Sequence, residues 1–229
     1  MNIKILMITS LFISLSTFGA TCSNTAPSTA HTNPDGTVGG MVHNTATVDS
    51  NSYIAVNAVV CDNASVNGHV IFQDDAQVEG DSLVFGTAII YNTAHISENA
   101  VVGGSSQVSG TSIIRGNAVV EGRSSVSDSS IVEGSSRILD AATISENAHV
   151  YGSAIIKDSA KLFGNSVVYG SATVYGQAKI YDSAQIFGRS YISGSAKISD
   201  NAQVFGNAQV TVFADISGDS IISGKAYVA

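Results

Sequence analysis

The chain of 229 residues has no tryptophan, two prolines, two cysteines and only 12% charged residues. Each shortage excludes something. Ten Lys and Arg stand against eighteen Asp and Glu, for a net charge of −8, and such a surface repels phosphate backbones, so nucleic acid is not expected as a partner. Beyond residue 20 there is no long apolar run. Polar or turn residues recur every few positions, which leaves no segment able to cross a bilayer as a helix. With so few charges, most outward positions fall to Ser, Thr, Asn, Gln or aromatics. Solubility then rests on neutral polar groups.

The N-terminus reads differently from the rest. Lys4 precedes the apolar run Ile5 to Phe18, which ends at Gly19 and Ala20 and is too short to span a membrane. Residues 1–20 therefore read as a secretory signal peptide, cleaved near Gly19 to Thr21, and the protein is expected to be secreted or periplasmic. Residues 21–39 form a Ser/Thr/Pro-rich linker or N-terminal cap. Cys22 lies just past the cleavage point, but a lipid-anchor signal wants Gly, Ala or Ser before the cysteine and here Thr21 stands there. The other cysteine is Cys61. In an oxidising compartment the two can pair, which would pin residues 21–39 over the N-terminal end of the fold, or they can remain two free thiols. The sequence leaves both open.

From Val42 to Val228 an aliphatic residue recurs at every sixth position, with Phe72 the aromatic exception, through 32 hexads without an insertion or deletion. Two residues before each of the last fifteen stands Ala or Ser, from Ala142 to Ala226. On a strand, residues two apart share a face, so small and aliphatic positions both point inward. The next positions carry turn chemistry, as in Gly152-Ser153, Asp158-Ser159 and Asp200-Asn201: residues that tolerate left-handed backbone or bond their own main chain. Each hexad is thus a short strand and a corner. A period this short defines a solenoid, in which each coil buries its apolar side only against its neighbours. Three hexads close an 18-residue triangular coil, and residues 40–229 stack into about 11 coils at about 4.8 Å per coil. The narrow interior explains the small residues, because larger ones would overfill it.

This pattern resembles the hexapeptide-repeat superfamily, whose members are left-handed parallel β-helices and many of which are acyl- or acetyltransferases. The resemblance covers Gly40 to Ala229 and rests on the repeat, with one departure: Gly or Asp comes two positions after the aliphatic residue, as in Val174-Tyr175-Gly176, whereas the family often has Gly directly after it. It implies an all-β, single-stranded left-handed β-helix, with a right-handed prism of bactofilin type as the alternative. The transferases of that superfamily use a histidine base near a subunit interface and hold their substrates with loops extruded between coils. Here no loop interrupts the count. The resemblance therefore leans away from catalysis, and if the chain is an enzyme, His95 or His149 at a trimer interface is the candidate base for acyl or acetyl transfer.

Those two histidines occupy equivalent outward positions 54 residues apart. Three coils separate them by about 14 Å, too far for one metal ion, and no His pair has the spacing that the superfamily's carbonic anhydrases use. Exposed surface imidazoles are the plainer reading. The acidic group Asp74, Asp75, Glu79 and Asp81 lacks the Gly-punctuated spacing of a calcium loop and reads as a solvated corner. No metal and no cofactor are expected.

Function is then sought on the outer faces. Stepping 18 residues from Tyr151 gives Tyr169, Phe187 and Phe205, four aromatics up one face, and stepping from Lys161 gives Lys179 and Lys197 on the next. Three lysines in register repel one another, so the second ladder is unexpected. The aromatics read as a simple shield of the sheet, as an interface, where aromatics are enriched, or as a stacking surface for a polysaccharide. Only Ser125-x-Ser127 and Thr143-x-Ser145 resemble an ice-binding array. The expected protein is a secreted structural or binding β-helix, with a homo-oligomer, trimeric or end to end, and a polysaccharide as its candidate partners.

Overall fold

The computed structural model describes Cys22 and residues 27–229, so the leader expected over residues 1–20 lies outside the described residues. The described chain is all β, with 33 short strands and no helix among the described residues. The first strand, β1 (Ser28–Thr32), runs antiparallel to β2 (Val38–His43). From β2 onward the chain forms 32 strands, one for each hexad. They sort into three sheets, each joined by parallel ladders from β2 on, and within each ladder partners are 18 residues apart, as in Val150↔Val168 and Lys161↔Lys179. The fold is a parallel β-solenoid of 18-residue coils.

The interior follows the small-x-aliphatic rule. Ala148 and Val150 are fully buried while His149 between them is only half-buried, and the same alternation repeats along the rod. Phe72 is the largest buried side chain, with Val70 rather than Ala or Ser two positions before it. Corners turn on residues with positive φ, seventeen glycines and mainly Asp, Asn or Glu otherwise. At Gly134 the reason is steric as well, because an added Cβ would press on the backbone of Gly152 in the next coil, 2.8 Å from its oxygen.

Corner side chains also join the coils. Asp62 accepts the backbone N–H of Gly80 at 3.1 Å, Asp158 that of Gly176 at 2.9 Å and Asp200 that of Gly218 at 2.8 Å. A carboxylate accepting a backbone N–H makes a charge-assisted bond, stronger than a neutral pair. One corner breaks the rule. Val212 holds φ 59°, a left-handed conformation that a β-branched residue adopts only under strain, and the adjoining Phe213 is 80% exposed.

The N-terminal arm covers the first coils. Asn33 accepts the Ile54 N–H at 2.8 Å and donates to the Ile54 carbonyl at 3.3 Å, completing the backbone bonding of a strand that the arm crosses. Gly39 and Gly40 lie so close to Ile54 and Ala58 that neither could carry a side chain. A disulfide between Cys22 and Cys61, with Cα atoms 5.5 Å apart, ties the start of the arm to the second coil.

Candidate functional site

The sheet that contains β1 and β2 carries the most chemistry. Its outward positions place His95 and His149 in one column, with Ile113 and Ile131 on the coils between them. Neither ring is a free surface imidazole. His95 Nε2 lies 2.9 Å from Glu79 Oε1, and His149 Nε2 lies 2.9 Å from Glu133 Oε1. The two pairs repeat one geometry three coils apart, because each carboxylate sits on the coil before its histidine and in the neighbouring column.

Their surroundings differ. Glu79 also accepts from Gln77 at 3.1 Å, and its histidine opens on a shallow depression that Ser97, Glu98 and Arg115 line as well. Glu133 is shared between His149 and Arg115, whose Nε donates at 2.6 Å. Burial alone would raise the Glu133 carboxyl, but the hydrogen bonds and charges of Arg115 and His149 outweigh it and hold the group below its ordinary value. A carboxylate-oriented imidazole can act as a base, since the partner fixes the ring and stabilises its charged form.

The aromatic ladder continues directly from the second pair. The His149 ring lies 4.7 Å from Tyr151, tilted by 41°. Tyr151, Tyr169, Phe187 and Phe205 then stack with centroids 4.7–4.8 Å apart and planes within 8° of parallel. Both faces of Tyr169 and of Phe187 are therefore covered by neighbouring rings, and only their edges reach solvent. Burial pushes the Tyr151 phenol up, and the Tyr169 and Glu133 charges add to it.

On the adjacent sheet Lys161, Lys179 and Lys197 pair in register, flanked by Ser159, Gln177 and Ser195. The column runs from Thr143 before the lysines to Asp215 after them. Phe163 and Tyr181 stack beside the first two at 5.0 Å. The Ser125 and Thr143 positions are also in register, and the column passes at once to lysine.

Counting in eighteens aligns the histidines, aromatics and lysines in their columns, but it does not reveal the pairing of Glu79 with His95 or the roles of Glu133 and Arg115. Their signal was present as residues 16 or 18 apart, the diagonal and direct neighbour distances of an 18-residue coil. The acidic group does not converge: Asp74 accepts the Asn92 N–H, Asp81 accepts the Asn63 amide, and Glu79 belongs to His95. Among the described residues, the one group of three or more metal-capable side chains that does converge is Cys22, His43 and Cys61, with one donor atom from each within 4.8 Å of the others.

No family model matches the chain, and no curated protein matches it in sequence. No helix among the described residues is long and apolar enough to cross a membrane.

Proposed function

We propose that the protein is a secreted or periplasmic, non-catalytic β-solenoid of the left-handed hexapeptide-repeat type, whose aromatic face packs against a second copy of the chain. The observation that carries this reading is the ring stacking. A sugar stacks on an aromatic through a free ring face, and the central rings have none left. What they offer is a straight ribbon of edges that repeats at the rise of the coils. A surface built from the same coils matches that period over every rung, and edge-to-face ring contact across such a junction is a favoured arrangement.

Three further features support the reading. The hexads run without extruded loops, so nothing is built to enclose a substrate. The leader-like segment and the disulfide both fit an oxidising compartment. The Cys22 sulfur bonded to Cys61 also leaves no thiol for a lipid thioether.

The test is light scattering over a concentration series, together with retention on immobilised polysaccharides, for the wild type and for Tyr169→Ala/Phe187→Ala. The expected result is a self-associating wild type, a monomeric variant and unchanged retention. Loss of retention at constant mass would point to a glycan instead. No change in either would end the reading.

A second reading, acyl or acetyl transfer with His95 or His149 as general base, draws on the two His–Glu pairs. Turnover of an acyl thioester by the wild type that disappears in His95→Ala or His149→Ala would establish it.

A further inference from the structure

We infer that Cys22, His43 and Cys61 form a redox-controlled site for a thiophilic d10 metal ion such as Zn(II), which takes over from the disulfide as the clasp of the N-terminal arm when the two sulfurs are reduced. The inference starts from register. Val42 pairs with Val60, so His43 and Cys61 stand side by side at equivalent places on adjacent coils. Both are buried, His43 at 2% exposure and Cys61 at 0%. The arm delivers the third group. Strand β1 aligns Ser28 with His43, and the Asn44 N–H donates to the Pro27 carbonyl at 3.0 Å, so Pro27 and Ser28 lie beside the same corner that Cys22 reaches through its bond to Cys61.

The result is two sulfurs and one imidazole nitrogen within 4.8 Å of one another. That is a donor set suited to soft or borderline ions: thiolate and imidazole bind Zn(II) at about 2.3 and 2.0–2.1 Å, so three such donors around one ion need separations of only about 3.5–4 Å. The imidazole is already set for the task. His43 Nδ1 accepts the Asp62 N–H at 2.9 Å and therefore carries a lone pair rather than a proton. Coordination by Nδ1 replaces that hydrogen bond. The Asp62 carboxylate stands nearby, with Oδ1 3.9 Å from His43 Nδ1, and adds negative charge beside a cation.

In the oxidised protein the site is closed, because both sulfurs are spent in the bond between them. A dithiol opens it. Thiolate exchange transfers two electrons and two protons from the dithiol, which leaves as its own disulfide, and Cys22 and Cys61 become thiols. Zn(II) then displaces both thiol protons and binds two thiolates and the neutral imidazole, releasing two protons to solvent. The arm stays attached in either state, by a covalent bond in one and by coordination in the other. A reduced, metal-free protein has neither.

The experiment uses the full chain after reduction with a phosphine, exchanged into metal-free buffer, and titrated with Zn(II) and with Co(II) as a spectroscopic probe. One ion per chain is expected, with thiolate-to-Co(II) charge-transfer absorption, and none for the oxidised protein. Cys22→Ser changes only the arm, so the coils stay folded, and it should lose that absorption and most of the affinity. His43→Ala should weaken binding by at least about tenfold, since even outer-shell changes at metal sites cost 10–100-fold. Protease sensitivity of residues 27–40 gives a separate readout: high in the reduced apo form, low in the disulfide and metal forms. Reduced wild type that takes up no ion overturns the inference. So does binding that survives unchanged in Cys22→Ser or in folded His43→Ala.

Discussion

The middle of the rod and its C-terminal half share one backbone and differ on both sides of it. Between Ser106 and Ser136 five of the six small inward positions are serine, whereas between Ala142 and Ala214 eleven of thirteen are alanine. The exterior changes at nearly the same place. The coils with serine interiors carry Arg115 and Glu133 outside, and the coils with alanine interiors carry the stacked rings. The corner geometry thus selects for size, since Ser and Ala fit the same space, while polarity is left to vary. That freedom has an energetic cost. Ser130 and Ser136 donate back to the carbonyls of Ser127 and Glu133, but Ser106, Ser112 and Ser124 bury hydroxyls with no partner.

The largest way to break the contrast is to remove the rings. Tyr169→Ala/Phe187→Ala abolishes three stacked contacts, each worth about 0.5–1.5 kcal/mol beyond area burial, so the C-terminal coils should lose about 3 kcal/mol. Hydrogen exchange should register the loss there and leave the serine-lined coils unchanged, since solenoid coils couple mainly to their neighbours. The reverse substitution sharpens it. Ser106→Ala, Ser112→Ala and Ser124→Ala should each stabilise the middle by about 1 kcal/mol, and Ser166→Ala, the unpaired serine of the other half, by the same amount in urea unfolding. Ser130→Ala, which removes a bonded hydroxyl, should not.

Smaller effects test the exceptions. Val212→Gly relieves the left-handed valine and should add up to about 1 kcal/mol, the strain of roughly 1–3 kcal/mol being partly offset by the entropy of glycine. The smallest is electrostatic. Glu133 is held below its ordinary value of 4.5, so its pairing stabilises the folded chain above that pH and the benefit fades as the solution is acidified through the lowered value. Glu133→Gln should flatten the pH dependence of the urea midpoint on the acid side and leave it unaltered where the carboxylate's contribution is already lost.

The coils were legible in the sequence because the inward rule is repeated at every hexad. Each of the 32 hexads became its own strand. Faces followed from counting in eighteens, which puts Tyr151 under Tyr169 and Lys161 under Lys179. Pairings between columns did not follow. Glu133 reaches His149 diagonally, and whether a side chain leans along or across the coils is set by packing rather than by period. The Val212 corner went unnoticed for a related reason: Ala208, Val210, Ala214 and Ile216 keep the inward rule intact across it, while the break falls on the turn position. The cysteines left two outcomes open because their separation of 39 residues carries no register, and only the path of the arm brings them together.

The corner carboxylates give the rod a sense of direction. In each of the bonds from Asp62 to Gly80, Asp128 to Glu146, Glu146 to Gly164 and Asp200 to Gly218, the acceptor belongs to the earlier coil and the amide to the later one. A chain that winds in the order of its synthesis therefore presents each of these acceptors one coil before the amide that fills it. The device belongs to particular coils, since the corners at Gly104, Gly110 and Gly116 carry no carboxylate, and where it is present it favours winding from the first coil onward.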